Sequence, residues 1–574
     1  MKQMTLYLVG NAHLDPVWQW RWQEGSAEAK ATVRSALDRM KEFPAFRFVC
    51  SSASVYRWIE EFAPEMLDEI RERVREGRWS VVGGWHVQPD CNLPSGEGFA
   101  RQALYSQRYF RDTLGVTASV GYNVDSFGHN ANMPQLLRQS GMDCYIFMRP
   151  GPHEMQMDSD LFEWAAPDGS SVTTFRIPDP YCLNFNEPAE LEARIEFLDS
   201  LAPDGIPAVP MFYGVGNHGG GPTVRNLELL EAYRAAHPER DMIYSDLSDF
   251  FAQIRTSGWP VPVYTGDLQH HASGCYSTVY AVKNGIRRAE CELTAAEKYG
   301  MLAGALCGKR TAQDRLREGW LQVCFCHFHD SMGGCSIREV YDDAALMLGH
   351  ARNIAAVTAN NALQTISWQI DTRDSSKGVP VVVFNPHSFD IRTTVQVNRH
   401  YPCVTDDAGR AVPSQFVHAS SFECYRQDDT LFEAEVPALG YAVYRLTGSG
   451  SRPDAPAVTA YMEDDIRSAN THGGAVLEND VFRIVFDTYS GYITGFTDKR
   501  TGHVLDERRD GVIRVPYYTD RGTIINNGNE YTVISQARLS PGVYVRRKQN
   551  GELESQFNVA NGLGFRIGLN RETG

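Results

Sequence analysis

Up to about residue 255, short apolar runs alternate with helix-length amphipathic segments. The runs are Tyr7–Val9, Arg47–Val49, Trp79–Val82, Ser119–Tyr122, Cys144–Phe147, Val172–Arg176 and Val209–Tyr213. Between them lie stretches such as AEAKATVRSALDRMKEF and EEFAPEMLDEIRERVREGRW, whose apolar residues recur at three and four. Repeated strand–helix–strand order predicts a parallel sheet with helices packed outside. Seven runs predict a (β/α)7-like barrel, closed or nearly so. In such folds chemistry gathers at the C-terminal ends of the strands.

The pattern changes near residue 280. KNGIRRAECELTAAEKYGMLAG, AQDRLREGWLQVCFCHFHD and DDAALMLGHARNIAAVTANNALQTISWQI read as long helices of a bundle. DTRDSSK, residues 371–377, reads as a polar linker. Beyond it GVPVVVFNPHSF, TTVQVN, YAVYRL, FRIVFD and GYITGFTDK are short alternating strands with Gly, Pro and Asn turns. GSGSRPDAPA, residues 448–457, reads as a join between two β modules. The expected architecture is therefore multidomain α/β. A barrel spans 1–260, a helical bundle 261–370, a small β domain 371–450, and the start of an antiparallel β-sandwich 451–574, truncated where the chain ends.

Composition narrows the partners. The 574 residues carry 55 basic against 71 acidic side chains, a net charge of -16. That balance argues against nucleic acid or an anionic membrane as the main partner and leaves a neutral ligand such as a sugar open. No run of about 18 apolar residues predicts a membrane span. The N-terminus lacks the charged and apolar regions of a signal peptide. The 12 cysteines are scattered without a CxxC pair, as expected of reduced thiols in a cytoplasmic protein. A homo-oligomer is compatible with all of this.

Three segments carry candidate chemistry. In NAHLDPVWQW, His13 and Asp15 lie two apart at a strand exit and point the same way. That suits a divalent metal, and equally a buried histidine beside a capping aspartate. In GYNVDSFGHNANMPQLL, Asp125 follows an apolar run, as either a site carboxylate or a turn cap. In CFCHFHDSMGG, His327 and His329 end a helical pattern, and on a regular helix residues two apart diverge.

Taken together, these segments resemble the family 38 glycoside hydrolases, zinc-dependent retaining α-mannosidases. The likeness rests on NAHLDPVWQW, GGWHVQPDCNLPSGEGFARQ, VDSFGHNANMPQLL and HFHDSMGG in that order. It implies one Zn2+ per chain held by His13, Asp15, Asp125 and His329, the last brought from the helical domain. Asp125 is implied as both ligand and nucleophile. Trp18 is implied to pack on the sugar and Arg149 to lie beside the nucleophile. Trp20 and Trp22 read as wall or core residues. The implied substrate is an α-mannoside or oligosaccharide whose 2- and 3-hydroxyls the metal grips.

One block departs from the resemblance. Where the family reads Gly-Asp-Gly-Gly-Gly-Gly-Pro, this chain has YGVGNHGGGPT. Asn217 stands at the expected acid position, and an amide is no general acid. His218, or a carboxyl from elsewhere such as Asp90, Glu97 or Asp267, is then the candidate donor. A third reading is an enzyme limited to activated leaving groups. The run Gly219–Gly221 suits close approach of backbone to ligand, or a tight strand-to-helix loop. GDLQHHASGCYSTVYAVKNGIRRAECE resembles the entry to the helical domain, with His270, His271 and Tyr276 as cleft residues. Two alternatives differ in class: a metal-dependent polysaccharide deacetylase-like hydrolase, and a catalytically weak carbohydrate-binding pseudoenzyme.

Overall fold

Ten strands form among the described residues before position 270, three more than the apolar runs predict. A computed structural model describes residues 4–178, 180–201, 206–216, 219–423, 426–450, 458–463, 473–489, 492–505 and strand segments beyond 516. The strands are β1 (Thr5–Asn11), β2 (Phe48–Ser51), β3 (Trp79–Val82), β4 (Val120–Tyr122), β5 (Cys144–Phe147), β6 (Leu161–Ala165), β7 (Ser171–Arg176), β8 (Ala208–Tyr213), β9 (Met242–Tyr244) and β10 (Val263–Thr265). All seven runs are strands; β6, β9 and β10 are additional. The turn Pro167-Asp168-Gly169 between β6 and β7 makes them an antiparallel hairpin.

The strands pair into two sheets. β1 pairs in parallel with β8, with β9 at Leu6–Leu8 and with β2 at Gly10–Asn11; β3 extends the sheet beyond β2. The second sheet runs β10-β6-β7-β5-β4. The Gly83 N–H donates to the Val120 carbonyl at 2.8 Å, linking the end of β3 to β4. β7 uses its second edge on β6, so β8 has no partner there, and among the described residues no ladder joins β8 to β7. Leu6, Leu8, Val9, Phe48, Ile146, Met211 and Phe212 form part of the shared core.

Helices α1 (Trp22–Glu42), α2 (Ala53–Phe62), α3 (Pro64–Arg75), α4 (Gly96–Leu114), α5 (Met133–Gln139), α6 (Pro188–Leu201), α7 (Val224–Ala236) and α8 (Ser248–Ser257) fill the connections. The stretch EEFAPEMLDEIRERVREGRW is two helices, not one. Pro64 starts α3 at a position where a missing N–H costs nothing, and α2 ends at Phe62.

The helical region consists of α9 (Tyr280–Cys307), α10 (Gln313–Cys326), the single turn α11 (His329–Gly333) and α12 (Arg338–Ser367). Ile286, Leu293, Trp320, Val323, Leu348 and Ala351 form its core. Two antiparallel sheets follow, from strands between Val379 and Thr447, packed around Val404, Phe432, Val436 and Leu446. Residues 1–457 form one compact unit and 458–574 a second. In the second, five antiparallel strands between Thr459 and Leu505 make one sheet.

Candidate metal centre and active site

β1 ends at Asn11, and the chain leaves the sheet through Ala12, His13, Leu14 and Asp15. Asn11 anchors this exit by donating to the carbonyls of Tyr181 and Tyr213. Gly25 in α1 lies against the Pro16 carbonyl so closely that a Cβ would sit 2.2 Å from that oxygen. The helix therefore packs directly on the turn behind the His-x-Asp pair. Trp20, 3 % exposed, donates its indole N–H to the Asp15 carbonyl at 3.0 Å. Trp18 is half-buried, edge-to-face with Trp20, and its carbonyl accepts from the Ile337 N–H.

Asp125 lies three residues beyond β4 and Arg149 two beyond β5, both at C-terminal strand ends. His329 arrives by a different route. α10 stops at Cys326, Phe328 is extended, and α11 starts at His329. This break separates the two histidines that a continuous helix would carry. His327 turns away and faces Glu290, with Nε2 3.2 Å from Oε1 and both side chains buried.

One ligand atom each from His13, Asp15, Asp125 and His329 lies within 4.8 Å of the others. His13 Nε2 is 2.6 Å from Asp15 Oδ1 and 3.8 Å from Asp125 Oδ2; His329 Nε2 is 3.8 Å from Asp15 Oδ1. His13 Nε2 and Asp15 Oδ1 are buried with only each other within reach, and the buried His329 Nε2 makes no hydrogen bond. Unsatisfied buried polar atoms are costly, and a divalent cation at their convergence satisfies all three. Two imidazole nitrogens and two carboxylates are an ordinary zinc donor set. His329 Nδ1 donates to the Gln88 carbonyl at 2.8 Å, which leaves Nε2 with a lone pair toward the cluster.

Asp125 is also held from outside. Arg149 Nε donates to its Oδ1. Burial alone would raise the carboxyl's pKa, but His13, His329 and Arg149 outweigh it and hold the group below the usual range. Arg149 Nη1 lies 3.3 Å from His271 Nε2, and His271 Nδ1 lies 2.5 Å from Glu154 Oε1. The Arg149 carbonyl accepts from His129, whose other nitrogen takes the Tyr145 hydroxyl. Burial depresses the His129 pKa to about 3, so this support is neutral near pH 7. Phe127 lies between His271 and His329, with ring centroids 5.6 and 5.7 Å away.

The remaining predicted residues are placed as follows. His271 reaches the site's edge through Arg149, whereas His270 is exposed on the same loop. The Tyr276 hydroxyl bonds Asn92 and the Phe127 carbonyl. Asp90 caps its own turn, accepting the N–H groups of Asn92 and Leu93. Glu97 pairs with Arg101 on the outside of α4, and Asp267 accepts the Ala131 N–H on an exposed loop. None of these three is part of the four-residue cluster. Asn217 and His218 lie outside the described residues. Gly219–Gly221 all have positive φ, and the Gly220 N–H donates to Thr32 in α1, which is the tight-loop role.

Residues 3–270 match the family model Glycosyl hydrolases family 38 N-terminal domain, and residues 270–366 match Alpha mannosidase middle domain. The chain belongs to glycosyl hydrolase family 38. Alpha-mannosidase G of Dictyostelium discoideum is 25% identical over 520 residues, covering 87% of this chain and 46% of that protein. An alpha-mannosidase of Saccharomyces cerevisiae is 28% identical over 362 residues, covering 60% of this chain and 33% of that protein. The family 38 chain thus spans less than half the length of these relatives. A crystal structure of an alpha-mannosidase from Enterococcus faecalis shares the fold. Its TM-score is 0.71 at 17% identity, over 97% of this chain and 67% of that one.

Glu154, His129, Phe127 and Gln88 are the site residues that the sequence pattern does not single out. Phe127 and His129 lie inside the quoted Asp125 block and Gln88 inside the second block. Glu154 has no local signal; only the fold brings it to His271.

Proposed function

We propose that the protein is a zinc-dependent, retaining exo-α-mannosidase that removes terminal α-mannosyl residues from oligosaccharides. The observation that carries this reading is the buried cluster of His13, Asp15, Asp125 and His329, with Asp125 bound at the same time by Arg149. Three of the ligands come from the region 1–260, assigned as catalytic, and His329 comes from the helical region 261–370. When bound there, the ion supplies a template for the cis 2- and 3-hydroxyls of mannose and charge stabilisation at the sugar.

The chain's own residues carry the rest. The Arg149 guanidinium bound to Asp125 favours its ionised form, as a nucleophile requires. One Asp125 carboxylate oxygen attacks the anomeric carbon, the bond from that carbon to the leaving oxygen breaks, and that oxygen takes up a proton. Water, losing a proton to the group that protonated the leaving oxygen, then attacks the same carbon of the glycosyl–Asp125 ester, releasing the carboxylate and giving net retention. Trp18 offers a half-buried aromatic face for the sugar, and Arg149 and His271 line the same edge of the cleft.

Asn217 favours a second reading of the proton step. Its amide donates no proton in general acid catalysis, so His218 takes the role or turnover is confined to leaving groups that need none. Aryl and unactivated α-mannosides separate these two. The main reading is tested with an aryl α-mannoside. Hydrolysis should stop with chelator and return with zinc, and a fluorinated mannosyl reagent should label Asp125. An active enzyme labelled elsewhere, or indifferent to chelator, sinks the mechanism.

A further inference from the structure

Gln88 is 3 % exposed and contacts all three segments that bear the four ligands. Its Oε1 accepts the Val124 N–H, next to Asp125, at 3.0 Å. Its Nε2 donates to Ser51 Oγ at 2.9 Å and lies 3.3 Å from His13 Nδ1. Its carbonyl accepts both the main-chain N–H and Nδ1–H of His329, at 3.3 and 2.8 Å.

The two histidines are therefore treated differently. His329 meets a pure acceptor, which fixes the proton on Nδ1 and frees Nε2. His13 meets an NH2 group, which is a donor. A neutral imidazole has one donor and one acceptor nitrogen. If His13 Nδ1 accepts from Gln88, the ring proton sits on Nε2, the nitrogen facing Asp15. If Nε2 is to bind a cation, the proton moves to Nδ1 and confronts the amide NH2, donor against donor. Turning the amide over relieves that conflict, and Ser51 can then donate to its oxygen. The NH2 would then face the Val124 N–H, which has only a proton to offer. No amide orientation satisfies all three neighbours of a metal-loaded His13. A carboxylate does, because both of its oxygens accept.

We propose that Gln88 is a positioning residue that holds the centre's affinity for its divalent cation low, by opposing the His13 tautomer that binds the cation. This rests on the metal reading given above. Gln88→Glu should tighten the centre, because the new acceptor fixes Nδ1–H. Outer-shell changes of this kind alter metal affinity by about 10- to 100-fold. Gln88→Met removes the opposed donor without adding charge, at some loss of fold stability through the unpaired Val124 N–H.

The experiment is competition for Zn2+ between a chelator and the metal-free full chain, in wild type, Gln88→Glu and Gln88→Met, with thermal unfolding of each metal-free protein. The expected result is at least 10-fold tighter zinc in Gln88→Glu and undiminished affinity in Gln88→Met. Gln88→Glu that folds but binds no tighter overturns the inference. A drop of 10-fold or more in Gln88→Met also overturns it, since the amide would then be supporting His13. If Gln88→Glu fails to fold, the Gln88→Met result alone decides. Wild type that takes up no zinc, with His13→Ala unchanged, is the failure of the metal reading instead.

Discussion

The candidate site is built from two halves that obey different rules. The strand-exit half holds His13, Asp15, Asp125 and Arg149 on segments leaving β1, β4 and β5. Its geometry follows from the sheet: parallel strands deliver their exits to one edge, and residues two apart share a direction. The helical half holds His329 on a single turn after a broken helix. Nothing periodic aims it. Its place is fixed by hydrogen bonds to the Gln88 carbonyl and by its neighbour His327 docked on Glu290. The first half is set by secondary structure and the second by tertiary contacts. The second should therefore be the easier to dislodge without touching a ligand.

The largest expected effect tests the first half alone. Asp125→Ala should lower kcat on an aryl α-mannoside by about 10^4-fold or more, as loss of a nucleophile does. Circular dichroism should remain that of wild type. Residual turnover within 100-fold would mean that another group attacks the sugar. The next effect compares the halves directly. Removing a ligand should weaken zinc by more than the 10- to 100-fold of an outer-shell change, and by similar factors for His13→Ala and His329→Ala. If only His13→Ala weakens binding, the helical half is not part of the centre.

How much could be read in the sequence divides along the same line. The seven apolar runs are strands because nearly all their residues, on both faces, are buried. His13, Asp15 and Asp125 stand out by spacing and by their position after those runs. The seven runs do not include β6, although its hairpin turn Pro167-Asp168-Gly169 is a local signal. The two-sheet pairing is not local, since it depends on β7 giving its second edge to β6. His327 and His329 could not be told apart by spacing, because the break at Phe328 depends on contacts with Pro89 and Gln88 from another region. Glu154 carries no motif, and Gln88 lies inside a quoted block that does not single it out. A carboxylate or amide acquires its role when folding sets an imidazole beside it.

A smaller effect probes the clamp on the second half. Glu290 accepts from Ser95 N and Arg287 and faces His327. Glu290→Ala leaves buried polar partners unpaired and should cost about 3 kcal/mol in urea unfolding. Burial would raise the Glu290 carboxyl, but His327, Ser95 N and Arg287 together hold it below its ordinary value of 4.5. A depressed carboxyl stabilises fully above its unfolded pKa, and that stability fades as pH falls below about 4.5 through the folded value. Glu290→Gln should therefore lose less stability than wild type between pH 5 and pH 3. Parallel acid profiles in the two proteins would show that the clamp does not depend on the Glu290 charge.

The smallest effect returns to the first half and its outer edge. His271→Ala removes the contact to Arg149 Nη1 and leaves Glu154 facing solvent. Arg149 keeps its own bond to Asp125 through Nε and its carbonyl support from His129. The nucleophile should stay ionised, and only the orientation of the guanidinium should loosen. The expectation is a loss of about 10-fold in kcat/KM, the scale of one charge-assisted hydrogen bond, with zinc affinity unchanged. The zinc measurement decides what the residue does. A loss of zinc in step with activity would place His271 in the support of the metal ligands, and would erase the distinction between a ligand cluster fixed by the strand exits and an arginine tuned from outside it.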